Sequence, residues 1–144
     1  MTAGNPGLSA RRDSYDDRRR NHLPTKPLFG GGNTGPALEG VLRAKGVKVF
    51  ARVDHSGEAD KVGMKMPPTQ VLIFGNPKGG TPVMLAAPKA AIDLPLKALA
   101  WEDNQGHAWL SYQDPEYFRK RFDLSPEVVA PLAGIVALID QALI

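Results

Sequence analysis

Val71-Leu72-Ile73-Phe74-Gly75-Asn76-Pro77-Lys78-Gly79-Gly80-Thr81-Pro82 reads as an apolar strand that feeds a glycine-rich loop opening a helix. An unbroken apolar run over Gln70 to Phe74 suits a central strand, because both of its faces meet other residues. Thr81-Pro82 pairs a capping hydroxyl with proline at the first helical position, so a short helix is expected over residues 82–87, ended by Pro88. Backbones arranged in this way hold anions: Lys78 and the amides of Gly79, Gly80 and Thr81, with Asn76 beside them, are the candidate ligand-binding residues. The alternative is a loop whose glycines only make a tight turn. The loop nearly spells a P-loop, since four residues separate Gly75 from Gly80 and Thr81 follows. A P-loop lysine must stand between the last glycine and the hydroxyl, and Lys78 does not, which argues against nucleotide hydrolysis.

Upstream, Val47, Val49, Ala51 and Val53 alternate with Lys48, Phe50, Arg52 and Asp54, the period of a half-buried strand. A first helix is expected from Pro36 to Lys45, with Leu38, Val41 and Leu42 on its inner face and Gly46 as a left-handed cap. Ser56 is expected to cap a short helix reaching Val62. Downstream, Leu94 to Trp101 and His107 to Tyr112 read as the arms of a hairpin about Asp103-Asn104-Gln105-Gly106. Asp114-Pro115 and Ser125-Pro126 each open a helix. The second places Val128, Leu132, Ile135, Ile139 and Leu143 at three- and four-residue steps, so it should pack across the sheet. Strands joined by a hairpin and by short helices imply an α+β fold: a mostly antiparallel sheet of four to five strands with helices on one face.

The chain has 144 residues and no cysteine, which bounds it to one core and excludes disulfides, thiolate metal sites and cysteine nucleophiles. No apolar run approaches the ~20 residues that span a bilayer, and the first residues carry no leader-like apolar stretch. A cytoplasmic protein with no membrane partner is expected. The net charge is +3, but the first 36 residues hold six basic and three acidic side chains, while the remainder holds twelve of each. A neutral globular part offers no footprint for a phosphate backbone, so no specific nucleic-acid partner is expected. Residues 1–33, rich in Arg and Gly and without periodicity, are expected to be a disordered tail, and residues 34–144 a single domain.

Arg43-Ala44-Lys45-Gly46, Phe50-Ala51-Arg52-Val53-Asp54-His55, the Val71–Pro77 run, Gly80-Thr81-Pro82-Val83-Met84, Ile92-Asp93-Leu94-Pro95-Leu96-Lys97 and Trp101-Glu102-Asp103 stand in order. With them, residues 37–144 resemble domain-of-unknown-function family 302. The resemblance implies a TATA-binding-protein-like α+β sheet and a homodimer, and it assigns no chemistry. It also implies an opening strand that the tail does not show. The expectation is that an altered reading frame or start site replaced that strand, or that the tail is genuine.

Among candidate chemical groups, His55 could act as a general acid or base oriented by Asp54, although neighbours on a strand point to opposite faces. A hydrogen-bonded surface histidine is the alternative. His22 and His107 have no spacing that would complete a metal site with it, so no metal and no cofactor are expected. Met64, Met66 and Met84 read as core fillers. Trp101, Trp109 and Tyr112 read as cross-strand packing or dimer surface, Glu102-Asp103 as a solvated pair, and Asp93 as a turn-forming cap. With no complete catalytic set, the favoured function is a non-enzymatic homodimer that binds or senses a small anion near Asp54, His55, Asn76 and Lys78. The alternatives are an enzyme acting on a small anionic metabolite through His55, and a dimeric protein-interaction module.

Overall fold

Eleven elements follow one another in the computed structural model, which describes Leu23, Thr25–Pro27 and residues 34–142. They are β1 (Thr25–Pro27), α1 (Thr34–Ala44), β2 (Lys48–Asp54), α2 (His55–Lys61), β3 (Thr69–Gly75), α3 (Pro77–Ala86), a 3-10 turn (Pro88–Ile92), β4 (Leu96–Glu102), β5 (Ala108–Tyr112), α4 (Pro115–Arg121) and α5 (Pro126–Ala142). The strands form one antiparallel sheet in the order β1-β5-β4-β3-β2. The α+β expectation holds, with β4 in the middle and β3 and β5 on either side of it.

The tail expectation does not hold throughout. Thr25–Pro27 pairs with Ser111, Leu110 and Trp109 as an edge strand, where Pro27 costs no ladder bond that a central position would need. Three residues carry no readable period, which is why pattern alone misses them. The rest of the expected tail lies outside the described residues.

Val47, Val49, Leu72, Phe74, Leu96, Ala98, Leu110 and Tyr112 give the sheet its buried side. Against it lie Leu38 and Leu42 of α1, Val83 of α3, Phe118 of α4, and Val129, Leu132, Ile135 and Ile139 of α5. Val53, Val71, Ile73 and Leu99, at the alternate positions, stay half-buried. Gly46 takes the left-handed conformation expected of a helix cap (φ 78°).

Strand β2 departs from its simple alternation. Val49 pairs with Phe74 but Ala51 with Ile73, so Phe50 is an extra residue, a β-bulge. One inserted residue reverses the parity of everything after it. Arg52 and Asp54 therefore pair with Leu72 and Gln70 on the helix side, and Arg52 reaches Glu39 of α1 at 3.6 Å.

Candidate functional site

Helix α3 begins five residues earlier than Thr81-Pro82 suggests. Asn76 is its cap: its extended backbone presents Oδ1, which accepts from the Lys78 amide at 2.9 Å, and Pro77 occupies the first turn. The Gly79 and Gly80 amides donate to the Asn76 carbonyl at 2.9 and 3.0 Å. Thr81 sits within the helix, on the next turn. The Lys78, Gly79 and Gly80 amides are thus used within the start of the helix, which leaves the expected anion cradle without those three donors. Gly79 has a different reason to be small. A Cβ there would lie 3.4 Å from Pro131 Cβ and 3.8 Å from Ile135 Cδ1, so α3 packs tightly against α5 at this residue.

Beside the same turn lies a cavity of about 220 Å³. Leu96, Leu132 and Ile135 belong to the buried core beneath it, while Met84, Leu94, Pro95 and the bulged Phe50 form further walls, with Gly75, Asn76, Pro77, Gly80 and Thr81 along the turn. Its surface is almost wholly apolar, and no acidic or basic side chain lines it. Phe50 is 45% exposed, which leaves ring area free to meet something else. Lys48 Nζ stands 4.9 Å from the centre of that ring. The Asn76, Gly80 and Thr81 of the sequence reading are therefore at a cleft, though an apolar one.

The wall at 93–95 is held from outside. Lys97 Nζ donates to the carbonyl oxygens of Asp93 and Pro95, each at 3.1 Å, and Gln113 Nε2 donates to the Asp93 carbonyl at 3.2 Å. Burial pulls the Lys97 ammonium below its ordinary value, with the Asp93 charge opposing that shift. Asp93 is more than a local turn cap. Its carboxylate pairs with Arg121 at 3.0 Å and accepts from the Tyr117 hydroxyl at 3.2 Å, while Arg121 also donates to that hydroxyl. A contact to α4, more than twenty residues on, is not readable from an Asp-Leu-Pro turn.

Asp54 and His55 are placed elsewhere. Asp54 pairs with Gln70 at one end of the β2–β3 ladder and Lys48 with Gly75 at the other, which separates His55 from the cleft by about 20 Å at ~3.3 Å per residue. No shared pocket for Asp54, His55, Asn76 and Lys78 exists, because β2 and β3 are antiparallel. Asp54 caps α2, accepting from the Gly57 amide at 3.0 Å and the Ser56 hydroxyl at 2.7 Å. The Gly57 amide and then the Ser56 hydroxyl hold its carboxyl below the usual value. Ser56, the expected cap, instead accepts from the Thr69 amide at 3.1 Å. The orienting carboxylate is committed to the helix start, and His55 lies exposed beside it.

The hairpin aromatics pack across the strands as expected. The Trp101 and Trp109 rings stack with centres 6.2 Å apart, and Trp101 Nε1 donates to the buried Ser111 hydroxyl at 2.9 Å. Asp103 is not a solvated carboxylate. It accepts from the Gln105 and His107 amides and from Trp109 Nε1, all at 2.9 Å. Burial raises its pKa, but the bonds from Trp109, His107 and Gln105 together outweigh burial and hold it low. Met64 and Met66, expected in the core, are 65% and 42% exposed in the connection before β3, where the Pro67-Pro68 pair keeps the chain outside the sheet. Among the described residues no three His, Asp or Glu side chains are grouped to hold a metal, and no helix is long and apolar enough to cross a membrane.

A helix layer on a five-stranded antiparallel sheet, with an apolar cleft where β3 meets α3, defines a small α+β domain. The chain belongs to the family described as "Domain of unknown function DUF302", whose model matches residues 33–142. Its fold resembles the crystal structure of an uncharacterised conserved DUF302 protein from Bacillus stearothermophilus, with a TM-score of 0.69 at 20% identity, covering 83% of this chain and 94% of that one. It is also 44% identical over 82 residues to the fluoride-specific ion channel FluC 1 of Brucella suis biovar 1, which is 57% of this chain and 32% of that protein. FluC 1 of Brucella abortus biovar 1 matches at the same identity over the same length, with 30% of it covered. The chain thus spans about a third of the length of these curated relatives.

Proposed function

We propose that this domain binds a small molecule in the apolar cleft between β3, α3 and α5, without transforming it. The observation that carries the reading is the cavity of about 220 Å³ itself. Apolar cavities of ~150 Å³ accept a single aromatic ring, whereas drug-sized ligands occupy ~300 Å³ or more. The ligand is therefore a ring or a short branched chain, not a nucleotide or a haem. The enzyme alternative through His55 needs that imidazole at the ligand, and about 20 Å of sheet separates it from this cleft. Asn76, Gly80 and Thr81 serve as wall residues in this reading, and Lys78 flanks the mouth.

Thermal-shift measurements on the full chain with small carboxylates, phosphates and single-ring compounds test the reading. A ligand at 100 times its dissociation constant adds ~2.7 kcal/mol, a large shift in melting temperature. Flat curves throughout reject the pocket. The homodimer is supported by the family resemblance and by the half-buried apolar row Val53, Val71, Ile73 and Leu99. Sedimentation equilibrium that finds only monomer rejects it, and with it the dimeric interaction module.

The curated relatives favour a second reading, in which the domain accompanies an anion channel and responds to fluoride. Millimolar fluoride should then raise the melting temperature where chloride does not. Equal curves in the two salts remove this reading.

A further inference from the structure

We infer that the ligand of the cleft is an amphipathic carboxylic acid, with an aromatic or branched aliphatic body in the cavity and its carboxylate at the Lys48 ammonium on the rim. The inference rests on the small-molecule reading above and adds the chemical class. Three observations converge on it. The cavity surface is apolar down to Leu132 and Ile135, so a charge at its base would lose its hydration with nothing in exchange. The body of the ligand must be apolar, and any charge must remain at the mouth.

Two ammonium groups belong to residues next to the cleft wall. Lys48 pairs in register with Gly75 at the cleft, and its ammonium lies over the Phe50 ring that forms one wall. No carboxylate among the described residues pairs with it, in contrast to Lys61 and Lys65, which bridge Glu58 and Asp60. Lys78, in the first turn of α3 beside Asn76 and Pro77, is a second exposed ammonium with no acidic partner among those residues. With no acidic side chain lining the cleft, a cationic or neutral polar head has no complement there, whereas a carboxylate has Lys48.

The bulge connects the two halves of the recognition. An extra residue in β2 sets the Phe50 ring against the cavity, and bulges commonly re-aim a side chain next to a binding site. An apolar body entering the cleft would cover the exposed part of that ring and leave its carboxylate within reach of the ammonium standing on the ring.

Titration calorimetry of the full chain with benzoate and 3-methylbutanoate, against benzamide and 3-methylbutanamide, tests the class separately from the pocket. The acids should bind more tightly than their amides, and about 0.5 M salt should erase most of that preference by screening. Lys48→Gln, an exposed change that leaves the core alone, should weaken the acids about two- to five-fold, the worth of one exposed charge pair, and leave the amides unchanged. Gly80→Leu, whose side chain would start 3.9 Å from Met84 Cε and 4.0 Å from Leu94 Cδ1, should weaken all four compounds together. Amides that bind as well as acids, with Lys48→Gln neutral, overturn the carboxylate class but not the pocket. No binding by any compound overturns both, and binding untouched by Gly80→Leu places the ligand elsewhere and overturns the inference.

Discussion

Substituting Gly80 with Ala separates the two meanings of the glycine run by the sign of a stability change. If the run were a loop cradling an anion, a methyl group would obstruct the ligand's approach and constrain a backbone that needs freedom. In the structure Gly80 is the fourth residue of α3, with its amide already bonded to the Asn76 carbonyl. Ala is better than Gly in a helix interior by ~0.8–1.0 kcal/mol, and a position at the end of the first turn retains about half to all of that. No clash subtracts from the gain, because the new Cβ would meet Met84 Cε at 3.9 Å and Leu94 Cδ1 at 4.0 Å, ordinary contact distances. The expected net is a stabilisation of ~0.5–1 kcal/mol, or roughly 2 to 5 °C in melting temperature for a domain of this size. Urea denaturation should show a higher midpoint with an unchanged slope. A midpoint lowered by the equivalent of ~0.5 kcal/mol or more would refute the helical assignment of this residue and restore the loop.

Asp103→Ala removes three bonds that organise the hairpin and should cost ~2–3 kcal/mol in urea denaturation, less than their sum because the two turn amides regain water. The Asp103 carboxyl is held below its unfolded value of 3.8, so its contribution is fully present above that value and is lost as pH falls through the lower, folded one. The stability gap between wild type and Asp103→Asn should accordingly narrow below about pH 4 and be flat above about pH 5. Ser111→Ala leaves Trp101 Nε1 without its buried acceptor and Thr25 without its 2.8 Å hydroxyl partner, at a cost of ~1–2 kcal/mol. Amide hydrogen exchange should rise first along the β1–β5 pairing. His55→Ala should change stability by less than ~0.5 kcal/mol and leave ligand affinity in the cleft unaltered, read by the same calorimetry. A loss of affinity would contradict the separation of His55 from the site.

Signals that lie within a few residues of the element they specify are legible in this sequence. Asp114-Pro115 opens α4 with the Asp114 side chain accepting from Glu116, and the spacing of Leu132, Ile135 and Ile139 gives the inner face of α5. Two cap-proline signatures compete in the central run, Asn76-Pro77 and Thr81-Pro82, and local chemistry cannot rank them. In the fold Asn76 is the cap, and the turn it opens sets Gly79 against Pro131, a residue more than fifty positions away. The bulge at Phe50 is hidden because apolar residues stand on both sides of it, so alternation continues in the sequence while the faces exchange. The Asp103 network is partly local: Asp-Asn-Gln-Gly is turn chemistry, and an Asp opening such a turn accepts from the amides that follow. Its third donor, the indole of Trp109, depends on the register of β4 with β5.

The proposed reading also bears on how the cleft stays open. An enclosed apolar void of about 220 Å³ would cost about 5 kcal/mol at ~24 cal/mol per Å³, and a cleft open at its mouth bears part of that cost. Filling it needs only larger residues at Gly80 or Thr81, both on its wall and neither at a positive φ. Its outer wall, by contrast, is fixed at some expense: Lys97 gives up hydration to hold the Asp93 and Pro95 carbonyls, and Asp93 in turn is tied to α4 through Tyr117 and Arg121. Small residues inside a braced frame let the volume persist, since unbraced walls would close on it. The Asp54-His55 pair stands at the far end of the same two strands, committed through Asp54 to starting a helix. On the proposed reading the ligand sits at one end of the ladder and His55 at the other, which keeps that imidazole out of its reach.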